Sequence, residues 1–335
     1  MGASTQAKAI SIETLAVSGA AMIRHGLGIA APSLAAGMVS MGLLFHREIA
    51  AAIDVWTGST AYNHCALVVP IVAYLVWDRR GQLVDIAPRP MPAAALAGLP
   101  LAAAWLFAER LGIMEGRQLV AMTLLQLLLF AVLGWRLWWL LAGPLLYLYF
   151  LVPFGAFITP ALQGFTARFV MHGLDLLGIA NYTDGYTIQI PEGTFYVAEA
   201  CAGLRFLIAS IAFGCLYSLL LYRSPLRRAT FVVVSVVVPI IANGVRELGI
   251  VLLGHVLGSA EAAETDHILY GWLFFSVVIL LLVTLGLPFR EDRVEAPARA
   301  RGPATTGRPG VGRPGMGAAA AGVCIAAIGP LIATT

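Results

Sequence analysis

The stretch 231–257, FVVVSVVVPIIANGVRELGIVLLGHVL, decides the fold class because it is apolar for long enough to cross a bilayer. A transmembrane helix needs about 20 predominantly apolar residues, and runs of this kind recur along the 335-residue chain. Charged residues make up only 12% of the chain and the mean hydropathy is +0.85, whereas about a quarter of a soluble domain is charged. The sequence therefore predicts an all-α polytopic membrane protein.

The apolar runs predict about eight transmembrane helices and a candidate ninth. Lys and Arg concentrate in short cytoplasmic loops, and the arginine clusters that follow the second, fourth, sixth and eighth runs share one side if the N-terminus is cytoplasmic. The segments 46–60, 109–117, 157–201 and 255–266 then face outward. The predicted spans are 27–45, 61–77, 91–108, 118–135, 137–156, 202–222, 229–254, 267–287 and, as the candidate ninth, 316–334.

The outer segment 157–201 is predicted to be folded. Residues 160–178 form an amphipathic pattern in which Gln163 belongs to the polar face. Residues 186–190 and 194–197 alternate between apolar and polar side chains around a Pro-Glu-Gly turn, which is typical of a β-hairpin. The sequence therefore predicts an amphipathic helix and a small β-hairpin on the periplasmic side.

Composition divides the chain into four predicted parts. Residues 1–26 form a cytoplasmic N-terminal segment, and 27–287 form the transmembrane domain that carries the motifs described below. Residues 288–315 are rich in Arg, Pro, Gly and Ala, as flexible cytoplasmic linkers are. Residues 316–335 form a candidate additional transmembrane helix.

The sequence predicts neither a metal or cofactor nor a nucleic acid as a ligand. The four cysteines make no C-x-x-C pair, so the sequence indicates neither a metal site nor a disulfide framework, and we expect no cofactor. No basic stripe with interleaved aromatic residues is present, so we expect no nucleic acid partner.

The heptapeptide 199–205, EACAGLR, places an acid, a thiol and a guanidinium where an outer segment enters an apolar run. Free N–H groups in the first turn of a helix favour negative charge, which suits a Cys201 thiolate. Arg205 lies four residues further on the same helical face and could stabilise that thiolate or orient Glu199. The alternative is that Cys201 is a small buried apolar residue.

Asn243 and Arg246 share one face of the apolar run 231–257. An arginine within hydrocarbon must find an anion, a carbonyl or a water-filled cavity. As a catalytic group, Arg246 would hold the oxyanion of an acyl-transfer intermediate with Asn243 as a helper. As a structural group, it would pair with Glu247 or Glu199.

His267 opens the eighth span from the outer side, and a neutral histidine is the commonest general base. His64 and His172 also face outward and are weaker candidates for this base. The predicted topology brings Cys201, Arg246 and His267 to one membrane side, and a thiol, a base and an oxyanion donor are the groups that acyl transfer needs.

These motifs resemble those of the exosortases, integral-membrane cysteine transpeptidases or proteases paired with PEP-CTERM sorting signals. The resemblance covers roughly residues 60–287. It includes YNHCALVVP from Tyr62, EACAGLR from Glu199, NGVR from Asn243 and the H-x-x-x-G-W pattern from His267 to Trp272. It implies that Cys201 is the nucleophile, His267 the general base and Arg246 the oxyanion or thiolate stabiliser.

The resemblance also implies a location and a substrate. The enzyme would lie in the bacterial inner membrane with its active site open to the periplasm. It would cleave the C-terminal tail of secreted PEP-CTERM-type proteins, with water or a lipid- or polysaccharide-linked amine as acceptor.

Two other functions remain open from the residues. A membrane acyl- or glycosyltransferase that acts on lipid-linked exopolysaccharide precursors would also use outward-facing Arg, His and Glu, but no thiol. A transporter would bury such charges near the membrane midplane within broken helices.

Overall fold

A computed structural model describes residues 30–83, 86–258, 267–291 and 314–333. Among them, six helices are long and apolar enough to cross a membrane, or eight if each of two bent pairs counts as one span. This confirms a multi-pass helical membrane protein, while the exact number of spans and the periplasmic side stay predictions. The α-helices are α1 Ala30–Leu44, α2 His46–Gly58, α3 Val68–Asp78, α4 Arg80–Leu83, α5 Gly98–Arg110, α6 Met114–Leu133, α7 Trp135–Leu140, α8 Ala142–Tyr147, α9 Thr159–Leu176, α10 Leu204–Leu221, α11 Pro225–Leu257, α12 His267–Gly286 and α13 Pro314–Ala333.

Short 3₁₀ segments and one small sheet complete the described structure. The 3₁₀ segments are Asn63–Leu67, Pro92–Ala97, Leu148–Leu151, Ala156–Ile158, Glu199–Cys201 and Leu287–Phe289. The strands are β1 Tyr182–Asp184, β2 Thr187–Ile190 and β3 Gly193–Tyr196.

The described residues fold as two compact units, and the first comprises the described residues of the ranges 30–58, 65–153 and 314–333. Its core lies where α5, α6 and α13 pack together. Small residues of α13 allow the helices to approach closely: a Cβ atom at Gly322 would lie 2.9 Å from a methyl carbon of Leu128. The candidate ninth span is therefore a helix that belongs to this core, although the predicted domain limits themselves stay predictions.

The second unit comprises residues 59–64, 154–258 and 267–291. Its longest helix, α11, packs against α9, α10 and α12. The Tyr217 hydroxyl donates to the Val283 carbonyl at 3.0 Å, and the Tyr222 hydroxyl donates to the Gly286 carbonyl at 2.8 Å. These bonds fix α12, the helix that begins at His267, against the end of α10.

The small sheet has three strands rather than the two of the predicted hairpin. β2 pairs with β3 in the expected antiparallel way, with Ile188 opposite Phe195. β1 adds a strand of only three residues on the other side of β2, which is too short to give an alternating pattern. Ile188, Phe195 and Val197 pack with α9 and α11 in one apolar cluster.

Three predicted spans differ from single long helices. The span 61–77 corresponds to the helical stretch Asn63–Asp78, which is shorter than the other candidate spans. The span 137–156 is wrong as one helix, because Pro153 and Gly155, with φ of 120°, interrupt the bent pair Ala142–Leu151 and Ala156–Leu176. Likewise, the first span continues after a bend of 76° into α2. The predicted segment 1–26 and most of the linker 288–315 lie outside the described residues.

Candidate active site

A tight turn presents Cys201 in front of α10. Cys201 ends the 3₁₀ segment Glu199–Cys201, and Gly203 then adopts the left-handed conformation, with φ of 83°, at the N-cap of α10. A Cβ atom at Gly203 would lie 2.6 Å from Cγ of Asn243. Glycine is therefore required here both by its backbone angle and by the close approach of α11.

Asn243 connects three elements of the site. Its buried Nδ2 donates to the backbone carbonyl of Cys201 at 2.9 Å and to the Thr166 hydroxyl of α9 at 3.3 Å. An amide nitrogen carries two hydrogens, so it can satisfy both acceptors at once. The predicted helper of Arg246 thus holds the backbone of the cysteine loop in place.

Arg246 lies one turn beyond Asn243 and is 1% exposed. Its Nη1 donates to Oε1 of Glu247 at 2.5 Å, whereas Nε and Nη2 have no hydrogen-bond partner among the described residues. The Cys201 side chain lies within electrostatic range of this guanidinium. Of the two predicted structural partners of Arg246, Glu247 is the one that it contacts.

Arg205 brings a second guanidinium to the same place. Its Cζ lies 4.8 Å from the centroid of the Phe206 ring, and Cζ of Arg246 lies 5.8 Å from that centroid. A Cβ atom at Gly271 would lie 3.5 Å from Nε and Nη2 of Arg246 and 3.7 Å from Nη2 of Arg205. The space left by Gly271 is therefore bordered by two cations, which favours a ligand atom with negative charge.

The structure says less about the predicted base, His267, and about the predicted acid, Glu199. α12 begins at His267, so the backbone of this residue enters the same unit as Cys201 and Arg246. Its side chain lies outside the part of the chain that the structure describes. Glu199 is exposed, and its supporting role stays a prediction.

The other histidines that are predicted to face outward have different surroundings. His172 is exposed, and its Nδ1 lies 2.7 Å from the Arg168 carbonyl of its own helix. His255 lies 2.8 Å from the Glu192 carboxylate in the turn between β2 and β3, and this contact lowers the pKa of Glu192. His64 is half-buried in the stretch before α3.

Two residues near the site were not predicted from the sequence. Thr166 is buried and accepts the bond from Asn243, and Gln163 is buried and donates through Nε2 to the Val197 carbonyl at 2.9 Å. The assignment of Gln163 to the polar face of the amphipathic helix was therefore wrong. Its spacing of three residues from Thr166 places both on one helical face, which is the signal that could have found them.

Within the described residues, no group of three or more His, Cys, Asp and Glu side chains could hold a metal ion. The predicted absence of a cofactor remains a prediction.

The comparison with protein families identifies the chain. The family model of the transmembrane exosortases matches residues 56–284, which is more than half of the chain and includes every residue of the candidate site. No curated protein and no solved structure gives a significant match.

Proposed function

Because the chain belongs to the transmembrane exosortase family, we propose that it is a cysteine protease or transpeptidase that cleaves the C-terminal sorting signal of secreted proteins. The proposed substrates carry a PEP-CTERM-like tail, and the reaction takes place at the periplasmic face of the bacterial inner membrane. The observation that carries this proposal is the buried Arg246, which has two unpaired guanidinium nitrogens within electrostatic range of the Cys201 thiol.

In the proposed first half-reaction, the Cys201 thiolate attacks the scissile carbonyl carbon. The carbonyl oxygen gains negative charge, which the unpaired Nε–H and Nη2–H groups of Arg246 stabilise. The carbon–nitrogen bond then breaks, and His267 gives a proton to the leaving amine. The substrate is left joined to Cys201 as a thioester.

In the second half-reaction, an acceptor attacks the thioester carbonyl while His267 takes the proton of the acceptor. The carbon–sulfur bond breaks and Cys201 leaves as a thiolate. Water as acceptor gives hydrolysis, and a lipid- or polysaccharide-linked amine gives transpeptidation. Glu247 keeps the Arg246 guanidinium oriented throughout, and Asn243 keeps the Cys201 loop against α11.

The proposal is tested by co-expression with a tailed secreted substrate. We expect Cys201→Ala to abolish processing while the protein still accumulates in the membrane. Cys215→Ala is the matched control, because Cys215 is a free cysteine of α10 that lies three turns beyond the site, and it should process normally. Processing by Cys201→Ala at the wild-type rate would refute the thiol mechanism and favour the acyl- or glycosyltransferase alternative, which needs no thiol.

A further inference from the structure

A cavity of about 230 Å³ lies beside Cys201 in the second unit. Cys201 and Glu247 line it together with apolar side chains from the small sheet, α9 and α11. The apolar lining residues include Val170, Ile188, Phe195, Val197, Ile250 and Val251.

The cavity is partly open to the outside, and its deep wall belongs to the apolar core of the second unit. In that core, Val170 is 0% exposed, Ile188 1% and Val251 3%. The exposed Tyr196 lies at the opening, and Cys201 and Glu247 add polar atoms to the lining. An apolar group that enters from outside would therefore contact the core side chains and would lie beside the proposed nucleophile.

The size of the cavity narrows the class of occupant. An apolar cavity of about 150 Å³ is large enough to bind benzene, whereas pockets for whole small-molecule ligands begin at about 300 Å³. The volume of about 230 Å³ falls between these values. It fits one large apolar side chain better than a complete ligand.

We propose that this cavity binds one large apolar side chain of the peptide substrate, at a residue next to the scissile bond, and thereby determines specificity. This inference rests on the proposed function, since a peptide must be attacked by Cys201 for its neighbouring side chain to reach the cavity. Bound in this way, the side chain loses contact with water and also fixes the scissile carbonyl near the thiol.

The first test varies the substrate and the cavity together. In a series with Ala, Leu or Phe at each residue flanking the cleaved bond, we expect the wild type to prefer Leu or Phe over Ala at one position by about tenfold or more. Val251→Phe fills the cavity and should lower or reverse that Leu-to-Ala ratio. Val256→Phe is the control, because Val256 lies on the same helix but is 80% exposed, and it should leave the ratio unchanged.

The second test does not depend on catalysis or on a substitution in the cavity wall, and its one variant replaces Cys201 by serine as a labelling control. Benzyl and methyl methanethiosulfonate both form a mixed disulfide with a thiol, so their relative rates at Cys201 report whether an apolar group finds a site beside the sulfur. We expect the benzyl-to-methyl rate ratio at Cys201 to exceed that of free cysteine. Labelling that disappears in Cys201→Ser identifies the residue.

The results of these tests distinguish a failure of the proposed function from a failure of the proposed specificity pocket. If Cys201→Ala still processes the substrate, the proposed function fails. If processing requires Cys201 but the ratio is unchanged in Val251→Phe, or the benzyl reagent has no advantage at Cys201, the cavity is not the specificity pocket. Selective reaction with long-chain acyl reagents but not with the benzyl reagent would also overturn this inference and indicate a lipid chain as occupant.

Discussion

Each of the two units holds an arginine among apolar helices, Arg246 buried and Arg117 nearly so, and the two arginines are paired in different ways. In the first unit, Arg117 of α6 donates through Nε and Nη2 to Glu48, through Nη1 it pairs with Glu109, and its Cζ lies 5.1 Å from the Trp105 ring centroid. In the second unit, Arg246 donates through Nη1 to Glu247 and lies within electrostatic range of the Cys201 thiol, while Nε and Nη2 have no hydrogen-bond partner among the described residues.

We interpret this difference as one between a structural ion pair, at Arg117, and a site prepared for a ligand, at Arg246. A buried donor without a partner costs free energy, so an arginine that only stabilises the fold should be saturated, as Arg117 is. The unpaired N–H groups of Arg246 are explained if they donate hydrogen bonds to a substrate atom during the reaction. Pre-organised donors of this kind stabilise developing charge most effectively where water is excluded.

Replacing each arginine by lysine should give the largest difference between the two units in processing activity and in thermal stability. Arg246→Lys keeps a cation for Glu247 but removes the N–H groups proposed for the oxyanion, so processing should fall by about 10²–10³-fold with little change in membrane levels. Arg117→Lys removes charge-assisted hydrogen bonds worth about 1.5–3 kcal/mol each. That variant should lose thermal stability in detergent but keep its activity per folded molecule.

The two measurements are the processing rate and the melting temperature in detergent. A large loss of melting temperature in Arg246→Lys with normal activity per folded molecule would make Arg246 a structural residue like Arg117.

Two glycines with left-handed backbone angles, one in each unit, extend the comparison of the two units. Gly112 in the first unit has φ of 68° with open space around it, and Gly203 has φ of 83° but lies against Asn243. Gly112→Ala should cost only the left-handed conformation of a non-glycine residue, about 1–2 kcal/mol. Gly203→Ala should cost more, and it should also lower processing because the new methyl group displaces Asn243 from the Cys201 carbonyl. Equal losses of melting temperature in the two variants would show that contact with Asn243 is unimportant.

Replacing two buried amide side chains by alanine, one in each unit, should give the smallest difference between the units. Asn243 donates to the Cys201 carbonyl, and Gln126 of the first unit donates to the Leu145 carbonyl at 2.7 Å. Each bond contributes about 0.5–1.5 kcal/mol. Asn243 makes a second bond, to the Thr166 hydroxyl, so Asn243→Ala should destabilise the protein somewhat more than Gln126→Ala. Only Asn243→Ala should slow processing, because only its partner carries the proposed nucleophile. A similar activity loss per folded molecule in Gln126→Ala would contradict this division between the units.

The sequence predicted the second unit better than the first. Cys201, Asn243 and Arg246 carry polar groups that are rare in apolar segments, and the structure brings the three residues together as their positions on sequential spans had predicted. The Arg117–Glu48 pair was missed because its members are 69 residues apart in two segments predicted only to face outward. Pairing across such a distance depends on tertiary packing that no local pattern records.

Local sequence patterns also gave a wrong prediction for one buried polar residue and missed one very short strand. Gln163 looks like a solvent-facing residue of an amphipathic helix, but its amide is buried because the Val197 carbonyl offers a partner. β1 was missed because three residues are too few to alternate visibly, and its pairing with β2 supplies the order that its sequence lacks.

The central claim is that Cys201 forms the covalent intermediate beside Arg246. The most direct measurement is mass spectrometry of the membrane protein after brief incubation with a tailed substrate, with and without hydroxylamine, which cleaves thioesters. The account predicts a substrate fragment attached to Cys201 that hydroxylamine releases and that Cys201→Ala does not form. Cleaved product from a wild-type protein that carries no adduct at Cys201, together with equal product from Cys201→Ala, would contradict it.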